Sequence, residues 1–157
     1  MLIHYDFLVV ALGSQTNFFG MKDVQENSYQ MSTINDAILL RNRIIDLMEQ
    51  AENETDPILR KALLKIVIVG GGFAGVETAG ELNDFINDVS EYYPSIDEHD
   101  VKVTLVEAST EILTGFPQKL AGFAKDKLVE RGIDVILDAG VTSFNGCLLY
   151  TSDAADD

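Results

Sequence analysis

The stretch that decides the fold is KIVIVGGGFAGVETAGEL, residues Lys65–Leu82. It joins a short apolar run rich in β-branched residues to a glycine-rich turn, and then to a segment with apolar residues at helical spacing. Gly70, Gly72 and Gly75 match the pattern G-x-G-x-x-G. Between a strand and a helix this pattern is typical of dinucleotide binding, although it also fits a glycine turn that only packs the two elements together.

Each glycine has a separate physical task. Gly70 permits the tight turn from strand to helix, Gly72 lets a pyrophosphate approach the backbone, and Gly75 lets the helix pack close to the strand. The free N–H groups at the start of the helix then face the diphosphate. We therefore predict that the cofactor contacts of this loop come from Gly70, Gly71, Gly72, Phe73, Ala74 and Gly75.

An acidic residue follows the next apolar run, Val101–Val106. Glu107 is placed to accept hydrogen bonds from the adenosine ribose, and it favours NADH because a carboxylate repels the 2′-phosphate of NADPH. The acid is expected about 20 residues after the glycine motif, so its position implies an extension between helix and strand. We assign Asn87–Asp100 to that extension, where Tyr92 and Tyr93 either pack the extension or cover the cofactor.

Glu77 lies in the predicted first turn of the glycine-loop helix. One interpretation is a charge that complements the helix dipole. The other places this carboxylate beside the nicotinamide. Composition and spacing leave both interpretations open.

The remaining pattern completes an α/β fold. Strand and helix alternate from Lys65 onward, which predicts a parallel sheet with right-handed crossovers. We expect part of a doubly wound Rossmann sheet of order 3-2-1-4, with the fourth strand absent from this sequence. The other predicted elements are a buried strand Tyr5–Leu12 ended by Gly13 and Ser14, a loop Gln15–Gln30, a helix capped by Ser32 or Thr33 and running to Ala51, a helix from Pro117 at its N1 position to Arg131 closed by Gly132, and a strand Ile133–Leu137.

Composition limits the function. The net charge of −15 argues against nucleic acid as a partner, because an acidic surface repels phosphate backbones. No apolar run is long enough for a membrane-spanning helix. One cysteine and two distant histidines, His4 and His99, form no metal-binding or nucleophilic constellation, so we predict no metal site and no catalytic side chain.

The last eleven residues, Cys147–Asp157, read CLLYTSDAADD. This string resembles one reading frame of a transposase adapter used in DNA sequencing, and the alternative is a short acidic tail. On the first interpretation the segment is excluded from the fold. We expect it to pack poorly, and we expect the natural protein to continue beyond Gly146.

Four stretches carry a resemblance to a known family. IVGGGFAGVETAGEL, residues Ile68–Leu82, looks like the NADH-binding signature of type II NADH dehydrogenases, which are single-chain NADH:quinone oxidoreductases. YDFLVVALGSQTNFFGM, residues Tyr5–Met21, resembles the segment that closes the first part of the FAD domain in that family. Residues Asp36–Glu52 and Val103–Leu120 are also similar to it.

The resemblance implies the order of the sites. The family places an FAD glycine motif first, then a strand like YDFLVVALG, then the NADH motif, so the Gly70 motif is the expected NADH site. Residues 1–30 are then the end of an FAD-domain segment with its linker, and residues 31–146 a truncated NADH-binding domain. Leu12 and Gly13 are expected near the flavin, and Glu77 near the nicotinamide.

The resemblance also implies an activity. NADH gives a hydride to FAD, which passes two electrons to a quinone, while the 157 residues alone are expected to be inactive. The family implies peripheral contact with the cytoplasmic or inner mitochondrial membrane through a C-terminal region that this sequence does not contain. The alternatives are another two-dinucleotide flavoprotein, of the disulfide or sulfide–quinone reductase type, and a non-enzymatic module that senses NAD(H).

Overall fold

The structure is a computed structural model that describes residues 2–13, 15–97 and 100–153. Ser14, which ends the predicted first strand, lies outside the described residues, as do His99 and tail residues 154–157. The elements in chain order are α1 (Lys22–Asn27), α2 (Ile34–Asn53), α3 (Pro57–Leu63), β1 (Lys65–Val69), α4 (Phe73–Ser90), β2 (Lys102–Val106), α5 (Gln118–Glu130), β3 (Asp134–Ile136), β4 (Ala139–Phe144) and β5 (Leu149–Asp153).

A parallel sheet of order β1-β2-β3 forms the centre of the fold. Val67 pairs with Thr104, and Leu105 pairs with Val135. Helix α4 connects β1 to β2 and contacts both, and α5 connects β2 to β3 and contacts β3. This arrangement confirms the predicted α/β fold and the order of its first three strands.

Strand β1 differs from the expectation of a buried strand. Val67 and Val69 are 44% and 52% exposed, whereas Leu105 on β2 is fully buried. The two strands differ in position, because within the described residues β2 pairs with a strand on each side, whereas β1 pairs with β2 alone. The exposed edge of β1 is where the predicted order 3-2-1-4 places a further strand.

Helix α2 begins and ends close to the predicted limits. Thr33 is its N-cap and forms a capping box with Asp36, in which each side chain accepts the other residue's backbone N–H. Its inner face buries Ile44, Met48 and Ala51. The following helix, α3, was not predicted, although Asp56 caps it and Pro57 opens it.

Helices α2, α4 and α5 bury apolar side chains in a shared hydrophobic core. None of the helices within residues 2–13, 15–97 and 100–153 is long and apolar enough to cross a membrane. The core is made of side chains from α2, α4, α5, β2 and the loops next to them, and its most buried members are Met48, Leu64, Leu105, Ile112 and Ile133.

The prediction of a strand at Tyr5–Leu12 is wrong. The segment has no strand assignment, and Phe7 and Leu12 are each 93% exposed. A strand is stable only when a neighbour pairs with its N–H and C=O groups. No strand among the described residues pairs with this segment.

Two further expectations need correction. The predicted loop Gln15–Gln30 contains the six-residue helix α1. Pro117 is the residue before α5 rather than its first residue, because α5 begins at Gln118. At the other end, Arg131 is the C-cap and Gly132 follows it with φ +84°, a conformation that favours glycine.

The extension after α4 lies far from the glycine loop. Helix α4 separates the two over 18 residues, or roughly 27 Å at the rise of an α-helix. Tyr92 is exposed, and Tyr93 packs against the core, where burial and then the nearby Glu49 and Glu52 raise the pKa of its hydroxyl. The tyrosines therefore belong to the extension and do not cover the glycine loop.

The tail forms part of a hairpin. Strand β5 pairs antiparallel with β4, with Phe144 opposite Leu149. Leu148 and Tyr150 remain 58% and 48% exposed. The expectation of poor packing thus holds for these two side chains and is wrong for the backbone, while the adapter origin of the segment stays a prediction.

Candidate functional site

The glycine loop has a geometry that only glycine permits at two positions. Gly70 directly follows β1 and has φ +103°, and its N–H donates to the carbonyl of Val106 at 2.8 Å. A Cβ atom at Gly75 would overlap the carbonyl oxygen of Gly70. Gly72, the N-cap of α4, has no atom within 4 Å of where its Cβ would be. The inner side of the loop is therefore closed and its outer side is open.

Gly71 is held from three directions by the residues that follow β2. Its N–H donates to Glu107 Oε2 at 2.6 Å, and its carbonyl accepts from the N–H of Leu113 at 2.7 Å. A Cβ at this position would lie 2.8 Å from Ile112 Cγ2, so no larger side chain fits without movement. We did not predict this contact from the sequence, although an apolar pair inside a polar loop was a usable signal.

Glu107 is ionised and held in place. Its Oε1 accepts from the N–H of Ser109 at 2.8 Å, and its other oxygen accepts from Gly71. Burial alone raises the pKa of this carboxyl, but the hydrogen bonds from Gly71 and Ser109 outweigh burial and hold the pKa below its usual value. Each carboxylate oxygen has a second lone pair, so acceptor capacity remains for a ligand.

Aromatic side chains stand beside the open side of the loop. Phe73 is the first residue of α4, and it is 56% exposed. It packs edge to face on Phe116, with ring centroids 4.7 Å apart. Ala74 is exposed next to it. A groove of about 310 Å³ lies between the loop after β2, the start of α5 and the end of β3.

Glu77 lies just beyond the first turn of α4, not within that turn as predicted. Helix α4 begins at Phe73, its first turn contains no acidic residue, and Glu77 is its fifth residue. The side chain is exposed. The interpretation of Glu77 as a partner of the helix dipole loses support, because that interaction weakens beyond the first turn.

Leu12 and Gly13 do not meet the glycine loop. Leu12 is exposed, and Gly13 has φ +79° with no atom within 4 Å of where its Cβ would be. No hydrogen bond joins these two residues to the loop in the described part of the chain.

A larger groove of about 920 Å³ beside α2 and α3 contains none of the predicted site residues. No group of three or more metal-binding side chains comes together in residues 2–13, 15–97 and 100–153.

The parallel sheet, the glycine loop and the acid after β2 together define a Rossmann-type fold. Comparison with known families gives the same answer. The pyridine nucleotide-disulphide oxidoreductase family matches residues 2–150. The chain belongs to this family.

Curated relatives narrow the comparison. The chain is 40% identical over 148 residues to the mitochondrial external alternative NAD(P)H-ubiquinone oxidoreductase B3 of Arabidopsis thaliana, which covers 91% of this chain and 25% of the relative. It is 40% identical over 142 residues to the mitochondrial external alternative NADH-ubiquinone oxidoreductase of Yarrowia lipolytica, covering 90% of this chain and 24% of the relative. These relatives confirm the resemblance to type II NADH dehydrogenases.

A solved structure agrees with the fold. NDH2 from Plasmodium falciparum in complex with NADH matches with a TM-score of 0.86 and 27% identity, over 98% of this chain and 31% of that one. The chain therefore spans about a quarter to a third of the length of the proteins it matches.

Proposed function

We propose that these residues are part of a longer FAD-dependent NADH dehydrogenase that passes electrons from NADH to a quinone. The observation that carries the proposal is the glycine loop, whose open outer face is fixed to an ionised Glu107 through Gly71. The names of the relatives from Arabidopsis thaliana and Yarrowia lipolytica support ubiquinone as the acceptor.

The chain's own groups suit the two ends of the adenosine diphosphate. The start of α4 presents free backbone N–H groups and the positive end of the helix dipole to the diphosphate. Gly72 leaves the space in which the diphosphate approaches. We assign the remaining lone pairs of Glu107 to the ribose hydroxyls, which favours NADH over NADPH. The loop contacts are those of Gly70, Gly71, Gly72, Phe73, Ala74 and Gly75.

The nicotinamide end involves residues that this structure leaves exposed. We place Glu77 beside the nicotinamide, and Leu12 and Gly13 near the flavin, where a backbone with positive φ and no side chain suits a flat ring. When bound, a flavin would supply the redox chemistry, because it can take up a hydride from NADH and pass two electrons on to a quinone. The chain's contribution is to bind, orient and shield the nucleotide.

We also propose peripheral attachment of the complete protein to a cytoplasmic or inner mitochondrial membrane. Ubiquinone is a membrane-dissolved acceptor, and the names of the two relatives place them in mitochondria. The attachment would use residues outside this sequence.

Expression of the complete reading frame that contains this chain tests the proposal. The purified protein is expected to hold FAD, to lose the oxidised-flavin absorption band when mixed with NADH without oxygen, and to regain it on addition of a short-chain ubiquinone. Three conditions should be compared in parallel, namely the ubiquinone, a disulfide and no added acceptor.

Each contrary result has a meaning. Reoxidation by the disulfide alone would identify a different flavoprotein reductase. A protein that binds NADH but holds no flavin would identify a nucleotide-sensing module. A flavoprotein that NADH does not reduce would remove the NADH assignment of the Gly70 loop.

A further inference from the structure

The short helix α1 links two parts of the chain that are far apart in sequence. It lies between the N-terminal segment, residues 2–13, and helix α2. The carboxylate of Asp23 on α1 accepts the backbone N–H of Phe144 on β4 at 2.9 Å, a contact across 121 residues. The site described above uses neither residue.

Several features show that α1 is seated on β4. Val24, next to the carboxylate, is buried. The Asn27 side chain turns back to donate to the Asp23 carbonyl at 2.8 Å, and its Oδ1 lies 3.1 Å from where a Cβ on Gly146 would be. The hydrogen bond from the Phe144 N–H, and then that from the Ser143 hydroxyl, lower the pKa of Asp23, so the carboxylate is charged.

The contact of α1 with β4, rather than the sequence of α1 alone, explains why this helix forms. A helix of six residues is not stable alone in water, because few hydrogen bonds offset the cost of nucleation. Its N-cap, Met21, makes no side-chain capping bond. An acid in the first turn could serve the helix dipole, but the largest influence on the Asp23 carboxylate is the β4 amide.

Strand β4 is tied to the glycine loop at its other end. The N–H of Ala139 donates to the Glu107 carbonyl at 3.0 Å, and the N–H of Asp138 donates to the Ser109 carbonyl at 3.1 Å. Glu107 in turn holds Gly71. A connected path therefore runs from Asp23 through β4 to the glycine loop.

The residues just before α1, which lead back to the N-terminal segment, form a hydrogen-bonded turn. The N–H of Met21 donates to the Phe18 carbonyl at 2.9 Å, and Asn17 Oδ1 accepts the N–H of Phe19 at 2.9 Å. Phe19 and Gly20 both have positive φ, which makes a sharp turn before α1. The Asp23 contact thus fixes the point at which the N-terminal segment leaves the nucleotide domain.

We propose that Asp23 is a positioning residue for hydride transfer. By holding α1 on β4, it sets the distance between the N-terminal segment and the glycine loop. The inference rests on the proposed function, because it places the flavin beside Leu12 and Gly13. Reacting atoms must come within about 3–3.5 Å, and a displacement of about 1 Å can cost a hundredfold in rate. A contact that fixes the two sides can therefore control the rate without touching either reactant.

The test uses the complete flavoprotein with Asp23→Ala, Asp23→Asn and the control Glu26→Ala, an exposed acid on the same helix. For Asp23→Ala we expect flavin reduction at saturating NADH to slow about tenfold to a hundredfold. The Kd for NADH and the flavin content should stay unchanged. Asp23→Asn should fall between, because its amide oxygen still accepts, and Glu26→Ala should match wild type.

Hydrogen exchange at the Phe144 amide gives an independent readout. We expect it to speed up in Asp23→Ala and to stay slow in Glu26→Ala. Faster exchange with an unchanged rate of flavin reduction would overturn the positioning role, as would a parallel loss of flavin and NADH binding in both Asp23 variants. If wild type shows no reduction by NADH, the proposed function and this role both fail, and slow exchange would then show that the contact itself exists.

Discussion

Two apolar stretches of this chain have similar composition, but one is a buried strand and the other is exposed and forms no strand. YDFLVVAL, at Tyr5–Leu12, and KVTLV, in strand β2, are both rich in residues that favour strands. In β2, Leu105 is fully buried between two neighbouring strands, whereas Val9 in the first stretch is 86% exposed. An apolar pattern therefore shows that a segment needs burial, and only the presence of neighbouring strands decides whether it forms a strand.

The largest effect is expected at the close contact between α4 and the end of β1, in the buried part of the molecule. Gly75→Ala places a Cβ on the carbonyl oxygen of Gly70, so α4 must move away from β1. We expect the complete protein to lose NADH binding, and its free energy of unfolding to fall by about 3 kcal/mol. Calorimetric titration with NADH and urea unfolding measure the two effects.

The matched control is another glycine in a helix. Gly122 in α5 has no atom within 4 Å of where its Cβ would be. Gly122→Ala should therefore leave NADH binding unchanged and stabilise the protein by up to about 1 kcal/mol. Equal behaviour of the two variants would show that the β1–α4 contact is not the constraint that distinguishes the packed region.

The same contrast separates what could be predicted from the sequence and what could not. The α2 capping box and the Gly70–Gly75 loop depend on residues a few positions apart, so their signals are local. The hold of Leu113 on Gly71, and that of Phe144 on Asp23, join residues distant in the chain. Such contacts follow from the tertiary fold, and α1 exists only through one of them.

The second prediction concerns the unpaired stretch itself. Phe7, Val9 and Leu12 are all more than 85% exposed, which is an association hazard. Residues 1–157 expressed alone should elute as aggregates in size-exclusion chromatography, and replacement of all three by Lys should increase the monomer fraction several-fold. In the complete protein the same replacement should instead lower FAD content, because we expect the stretch to be buried there.

Ile34→Lys provides the control for that experiment. Ile34 is 84% exposed at the start of α2, and its replacement should leave FAD content unchanged in the complete protein. A triple-Lys variant of the complete protein with normal FAD content would show that this stretch needs no partner. The contrast with β2 would then have another cause.

The third prediction concerns the acid that follows the fully paired strand. Glu107→Gln keeps one good acceptor where the native side chain serves two backbone N–H groups. We expect the KM for NADH to rise about tenfold, as for loss of a charge-assisted hydrogen bond. Adding Ser109→Arg should move preference toward NADPH, because an arginine can donate hydrogen bonds to the 2′-phosphate and offset its charge. The measurement is kcat/KM for both nucleotides.

Glu81→Gln removes the same charge from an exposed site on α4 and should change neither nucleotide's kcat/KM. The pKa of Glu107 is lowered in the fold. The contribution of the ionised carboxylate to stability is therefore complete above the ordinary carboxyl pKa, and it is lost only as pH falls through the lowered pKa. The KM for NADH should therefore be flat near neutral pH. Equal use of NADPH by wild type would mean that Glu107 does not select the nucleotide.

The smallest effect is expected where structure depends on local sequence alone. Thr33→Ala removes the hydroxyl that accepts the N–H of Asp36, and loss of such a cap costs about 1 kcal/mol of stability. Thr33→Ser keeps the hydroxyl and should lie close to wild type. Neither variant should alter the KM for NADH, because the cap lies away from the glycine loop. Urea unfolding measures the loss.

The pH dependence of that loss tests its cause. The Thr33 side chain, and then the N–H of Ser32, lower the pKa of Asp36, so the contribution of this carboxylate is complete above its ordinary pKa and disappears as pH falls through the lowered one. The difference between wild type and Thr33→Ala should therefore shrink in acid. It should also be the same with Phe7, Val9 and Leu12 native or replaced by Lys, since a cap needs only its own turn. A loss that changed with the state of the N-terminal stretch would show that α2 also depends on distant partners.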